Sequence, residues 1–339
     1  MSCRLAKFLI PVVLVVGWFC FVSFGKGVPG GPLVLYCGRS KALVKPLLDQ
    51  FKAETGVQVQ VRYAKTAQLA VALVEEGLQS RADLFWAQDA GSLGVLSKSG
   101  LMASLDPKIV DSIPPQFHNR GGQWVATSGR ARVLAFAPLR VSREELPQRL
   151  EELADPKWKG RVGWAPTNAS FQAAVTAMRN SWGEDRTKKW LAAMKINGTR
   201  NYAKNTPILK ALAAGEIDLG LPNHYYLLRL KANDDQFPVE QQFFVPGDIG
   251  NLVNVAGIGV LKYSSNQELA MEFVRFLLST RAQQYFSKQV FEYPVIDGVE
   301  SSSRLVSHER LLDLAPSVNL DELSDVTDTI AMLKEVGLL

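Results

Sequence analysis

The chain has 339 residues, 47% of them hydrophobic and 21% charged, and a formal charge of +5 at neutral pH. That length suffices for two domains, each with its own core, and the composition excludes a disordered or low-complexity chain. Three of the positive charges, Arg4, Lys7 and Lys26, lie in an N-terminal segment without acids, and no Lys/Arg run or interleaved aromatic patch follows. No nucleic-acid partner is therefore expected.

Residues 8–24 form an apolar run behind Arg4 and Lys7. Positive residues followed by an apolar stretch mark residues 1–26 as a signal peptide, and Ser23-Phe24-Gly25 would allow cleavage after Gly25. The run is at the short end of the ~17–25 residues that span a bilayer, so an uncleaved N-terminal membrane anchor is the alternative. Of the three cysteines, Cys3, Cys20 and Cys37, cleavage would leave only Cys37. Such a chain has no internal disulfide and must rely on a large core.

Leu33-Val34-Leu35-Tyr36 predicts a buried strand, and residues 42–54 a helix with Leu43, Leu47, Leu48 and Phe51 on one face. Val57, Val59 and Val61 alternate with polar residues as a second strand. A helix over 67–77 and a third strand, Ala82-Asp83-Leu84-Phe85-Trp86, follow. Strand–helix alternation of this kind implies a parallel sheet with helices on its faces and right-handed crossovers. Residues 123–126 and 131–136 read as extended segments around Ser128-Gly129. The pattern then repeats, with a strand at 162–164, helices at 170–181, 188–194 and 208–214, and a strand over 217–222. Val253 to Val260 is a long apolar strand. Helices are expected at 266–278, 281–287, 304–312 and 325–336, the last with Ser324 as N-cap.

After the strand at 217–222 the chain reads Asn223-His224-Tyr225-Tyr226. Strand ends are where open α/β sheets bind ligands. A phenolate is a hard oxygen donor, and a bound trivalent cation drives off a tyrosine proton whose free pKa is about 10. Two neighbouring phenolates could thus hold one hard cation such as ferric iron. The alternative is a structural pair, one ring in the core and one at the surface. The three histidines, His118, His224 and His308, lie in no hydrolase or zinc motif, and neither a phosphate loop nor a dinucleotide fingerprint is present. No enzyme is expected.

Several stretches together resemble the periplasmic ferric-iron-binding proteins of bacterial ABC importers. They are Leu35-Tyr36-Cys37-Gly38-Arg39, Ala82-Asp83-Leu84-Phe85-Trp86, Gly129-Arg130-Ala131-Arg132-Val133-Leu134, Pro166-Thr167-Asn168-Ala169-Ser170-Phe171, Gly215-Glu216-Ile217, the tyrosine motif, and Asn254-Val255-Ala256-Gly257-Ile258-Gly259-Val260. Each is weak alone; their shared order over residues 33–300 is specific. The resemblance implies a two-lobed solute-binding protein of type II, each lobe a mostly parallel α/β sheet flanked by helices, with the ligand in the interlobe cleft. It implies Tyr225 and Tyr226 as ligands of Fe3+. It also implies a synergistic anion such as carbonate facing Asn168, Ala169, Ser170 and Asn223, with Arg39 and Arg130 as counter-charges.

The chain departs from that family's pattern at three positions. Phe136 stands where many members have a third tyrosine, Ser40 where others have a histidine, and Gln88, followed by Asp89, where others have a glutamate. Gln88 and Asp89 are possible further metal ligands; the competing reading makes Asp89 the N-cap of the helix carrying Leu93 and Leu96. Tyr36 is a candidate for the cleft or for the strand core.

The expected domains are residues 31–128 with 253–300 and residues 129–252 with 301–339, hinged near 126–132 and 251–256. The expected function is capture of ferric iron in the periplasm, free or tethered to the outer face of the cytoplasmic membrane, and delivery by a monomer to an ABC permease. The alternative is a receptor of the same fold for a small organic or inorganic anion without metal.

Overall fold

The computed structural model describes residues 31–339, so the expected signal peptide or anchor at 1–26 lies outside the described residues. Among the described residues no helix is long and apolar enough to cross a membrane. The first half holds β1 (Leu33–Cys37), α1 (Lys41–Thr55), β2 (Val59–Tyr63), α2 (Thr66–Glu76), β3 (Leu84–Ala87), α3 (Ala90–Lys98), α4 (Pro107–Val110), β4 (Val125–Ala131) and β5 (Leu134–Phe136). Next come β6 (Val162–Trp164), α5 (Ala169–Trp182), α6 (Glu184–Ile196), β7 (Arg200–Asn201), α7 (Asn205–Ala214), β8 (Leu219–Gly220), α8 (His224–Asn233) and β9 (Glu240–Gln242). The chain closes with β10 (Val253–Val260), α9 (Gln267–Leu277), α10 (Thr280–Tyr285), α11 (His308–Leu314) and α12 (Val326–Glu335).

The strands make two five-stranded sheets, in the orders β2-β1-β3-β10-β4 and β7-β6-β8-β5-β9. In each sheet four strands share one direction and one is reversed: β10 in the first, β5 in the second. The reversed strands are those that follow the chain's passages between sheets, from β4 to β5 and from β9 back to β10. The two passages touch, since the Arg132 N–H donates to the Leu252 carbonyl at 3.0 Å. This is the two-lobed, mostly parallel α/β architecture that strand–helix alternation predicts.

Apolar side chains at helical spacing seal the first sheet. Phe51 of α1 meets Phe273 of α9 edge-on at 4.9 Å between centroids, and Phe273 meets Trp86 of β3 at 6.2 Å. Phe51 is fully buried, so truncating it to Ala would cost about 3–5 kcal/mol. Around the second sheet, Trp164 of β6 packs edge-on against Phe171 of α5 and Trp190 of α6.

The C-terminal segment reaches helices of both sheets. Residues 320–324 pack on α3, where Gly91 and Gly94 permit the approach: a Cβ at Gly91 would lie 2.5 Å from the Leu323 carbonyl oxygen. Past it, α12 packs on α5, with the Thr329 and Thr176 hydroxyls 2.8 Å apart.

Two local expectations are corrected, and two edge strands were not expected. The N-cap position of the last helix is Asp325, without a side-chain cap bond, and not Ser324, whose hydroxyl donates to the Asp321 carbonyl. The helix expected at 304–312 begins at His308, because Ser307 accepts from the Arg310 N–H and caps it there. The edge strands β7 and β9 carry Arg200-Asn201 and Glu240-Gln241-Gln242; short polar edges lack the apolar alternation that marks a strand.

Candidate functional site

In each sheet the co-directional strands lead into helices whose N-termini lie at the strands' carboxyl ends, where open α/β sheets bind ligands. α1, α2 and α3 begin just past β1, β2 and β3, and α5, α7 and α8 just past β6, β7 and β8. Helix starts present free N–H groups and partial positive charge, so these strand ends carry donors before any side chain is placed.

The tyrosine pair opens α8. Asn223 occupies the N-cap position, with His224, Tyr225 and Tyr226 in the first turn. The two rings stack at 4.2 Å between centroids with 28° between planes. Tyr225 is buried at 2% exposure and packs with Phe291 and Leu228, whereas Tyr226 is half-buried. Burial pushes the Tyr225 phenol well above its ordinary pKa, the neighbouring Tyr226 adds to that, and Arg130 opposes it. Without a cation the Tyr225 proton therefore stays on at neutral pH.

His224 fixes the start of this helix. Its Nδ1 accepts from the Ala131 N–H at 3.1 Å and its Nε2 donates to the Phe291 carbonyl at 2.7 Å. Burial lowers its pKa to about 4, so the ring is neutral and this tautomer satisfies both contacts. One imidazole thus ties α8 to β4 and to the residue-291 turn.

The opposite wall is charged. Arg39, past β1, makes a buried ion pair with Glu292 at 2.8 Å, and Ser128 of β4 donates to the same carboxylate oxygen. Burial would push the Glu292 carboxyl up, but Arg39 and Arg130 outweigh it and hold the group below its ordinary range. Arg130 of β4 is 2% exposed and has no carboxylate partner; its Nη2 donates to the Gln88 and Val255 carbonyls. Arg132, also buried, turns to the Ser170 and Leu221 carbonyls, and burial lowers its pKa to about 10.

The remaining sequence-derived candidates fall into place around these walls. Asn168 is the N-cap of α5, accepting from the Ser170 backbone at 3.0 Å and from its hydroxyl at 2.7 Å; Ala169 is the first helical residue. Asn223 is buried, and its backbone N–H donates to Asn205 Oδ1 at 3.2 Å. Asp89 caps α3, accepting from the Ser92 N–H at 2.8 Å, and burial raises its pKa. Gln88 is half-buried beside it. Tyr36 turns to Arg62 and Glu76 at the rim, its hydroxyl 3.0 Å from the Glu76 carboxylate. Phe136 is buried with the Arg143 guanidinium over its ring, and Ser40 makes no side-chain cap bond on α1.

Sequence reasoning missed Glu292, Ser128, Asn205 and the uncompensated Arg132. One signal for Glu292 was present: it is the single charge in Val290-Phe291-Glu292-Tyr293-Pro294-Val295, and a charge in an apolar run is retained only when paired. Among the described residues no group of three or more His, Cys, Asp or Glu side chains could hold a metal ion.

A model of the bacterial extracellular solute-binding protein family matches residues 80–315. The Fe(3+)-binding periplasmic protein of Serratia marcescens is 33% identical over 311 residues, covering 91% of this chain and 90% of that protein. The crystal structure of iron-bound HitA from Pseudomonas aeruginosa superposes with a TM-score of 0.85 at 32% identity, over 91% of this chain and 99% of that one. A Trichodesmium protein in complex with iron and citrate superposes at 0.79 with 30% identity, over 91% and 99% of the two chains.

Proposed function

From the premise that this chain belongs to the periplasmic ferric-iron-binding proteins within the bacterial extracellular solute-binding family, we propose that it captures ferric iron between its lobes and hands it to an ABC permease. The family is one of transport proteins, not of enzymes. The observation that carries the reading is the stacked pair Tyr225 and Tyr226 at the start of α8.

The chemistry follows from the donors. Each phenol gives up its proton to become a hard anionic ligand, so binding releases protons and affinity weakens as pH falls. Two phenolates leave a trivalent ion one charge short of neutrality. A carbonate-like anion at the Asn168, Ala169 and Ser170 start of α5, near Asn223, supplies that charge and sits on free N–H groups. Gln88, Asp89 or water completes the shell, since Phe136 offers no oxygen. Asp89 is already engaged as a helix cap, which leaves Gln88 the freer of the two. The lobes close about the two passages near 126–132 and 251–256, because hinges are few and lie at element ends.

The test is the visible spectrum of purified protein titrated with ferric citrate. Iron on phenolate gives a red or orange charge-transfer band. Protein that stays colourless while binding a small anion would establish the metal-free anion receptor instead.

A further inference from the structure

Besides its passages from β4 to β5 and from β9 to β10, the chain crosses between the lobes a third time, in its C-terminal segment. Residues 320–324 are held by the first lobe. Asp321 accepts from Asn119 Nδ2 at 2.8 Å and from the Arg120 N–H at 3.2 Å, on the approach to β4. The same residues lie in a notch of α3 made by two glycines. A Cβ at Gly91 would be 2.5 Å from the Leu323 carbonyl oxygen, and one at Gly94 would be 2.8 Å from the Ser324 Cβ. From Asp325 onward the second lobe takes over. Arg179 of α5 donates to the Asp325 carbonyl at 3.1 Å and to the Thr329 hydroxyl at 2.9 Å. One bond straddles the two: Asn180 Nδ2 of α5 donates to the Glu322 carbonyl at 3.2 Å. Leu323 and Leu333, both fully buried, join a single apolar cluster that holds Leu93 of α3 and Val175 of α5.

The helices joined in this way are those that start at candidate residues of each wall, α3 at Asp89 and α5 at Asn168. Packed contacts do not stretch. When α3 and α5 move apart, the segment must bend or let go at one end. Asp325 is the place to bend: its φ of −82° and ψ of 64° are neither helical nor extended, its side chain caps nothing, and it stands between two elements. The end that lets go is the first-lobe one. It is a five-residue turn held through Asp321 and Leu323, whereas the other end is the ten-residue α12 with the Arg179 network beneath it.

We propose that residues 320–325 are an interlobe strap: docked in the Gly91 and Gly94 notch they limit how far the lobes open, and undocking permits the wider opening that releases ligand. The strap rests on the lobe closure proposed above, and not on iron binding by the tyrosines. A contact shifts an equilibrium only when it differs between the two states, and the contact that differs here is the one between residues 320–324 and α3.

The experiment measures the iron-free chain by small-angle scattering and by hydrogen exchange. Gly94→Ala leaves α3 a good helix but fills the notch, and Asp321→Ala removes the acceptor for Asn119 and Arg120. In each variant the amides of 320–325 should exchange faster and the radius of gyration should rise. In the unaltered chain, ferric citrate should slow exchange at 320–325, a readout that needs no variant to fold. Transfer of iron to excess EDTA should be about tenfold faster in Asp321→Ala, as the loss of two hydrogen bonds to a carboxylate implies. Faster exchange at 320–325 with an unchanged radius of gyration would make the segment mere packing and overturn the proposal. Unchanged exchange in both variants, or no slowing in unaltered protein that has taken up the ferric colour, overturns it equally. Failure to develop colour counts against the tyrosine reading alone, because the scattering comparison uses no iron.

Discussion

The two walls of the cleft are built by different means. The second-lobe wall is local: Asn168 to Ser170 and Asn223 to Tyr226 are short runs without acidic or basic residues of their own that open helices, with the Arg132 guanidinium on the Ser170 and Leu221 carbonyls beside them. The first-lobe wall is charged and assembled over distance: Arg39 and Glu292 are 253 residues apart in the chain and meet at 2.8 Å with neither side chain more than 2% exposed. The first wall therefore depends on correct assembly of the whole lobe, because a buried charge without its partner is costly. The second depends mainly on where helices start.

That difference predicts unequal penalties. Glu292→Gln removes the charge that compensates Arg39 and should destabilise the protein by about 3–5 kcal/mol, read by urea unfolding. A loss below about 1 kcal/mol would mean that water, not Glu292, satisfies Arg39, and the contrast between the walls would collapse.

The joint between the walls is next in size. His224 holds β4 and Phe291 as a neutral ring with its pKa at about 4 against an ordinary 6.5. The unfolded chain binds this proton more readily than the folded one. The contribution is therefore present above pH 6.5 and is lost as pH falls toward 4, on the order of 3 kcal/mol in all. Urea midpoints at pH 7 and pH 4.5 should differ accordingly, and His224→Phe should flatten that part of the profile. Equal slopes in both proteins would show that the ring is not the group responsible.

Smallest is the second wall's cap. Asn168→Ala removes the acceptor for the Ser170 N–H and should cost about 1 kcal/mol. A much larger loss would mean that the start of α5 has tertiary work beyond capping.

The same contrast explains what could be read in the sequence. Strand–helix alternation and apolar periodicity are local properties, so the first sheet, the three inner strands of the second and nearly all helices were legible. Tyr225-Tyr226 and Asn168-Ala169-Ser170 were legible because the residues are adjacent. Glu292 was not, since its partners Arg39 and Ser128 come from remote segments and only its isolation in an apolar run hinted at burial. Arg130 was visible as a cation, but its lack of a carboxylate partner is a fact of packing. β9 was invisible because Glu240-Gln241-Gln242 is polar throughout, and Ser324 was misread because Asp325 takes the cap position one residue later.

The central claim is that Tyr225 and Tyr226 together bind ferric iron. The most direct measurement is the charge-transfer band of three variants under ferric titration. Tyr225→Phe and Tyr226→Phe each delete one oxygen while keeping the stacked ring, whereas Tyr263→Phe alters an exposed tyrosine elsewhere. The account predicts that each of the first two abolishes or greatly weakens the band and lowers iron affinity at least a hundredfold, with Tyr263→Phe matching wild type. Unchanged spectrum and affinity in both pair variants would contradict it and leave the tyrosines a structural stack.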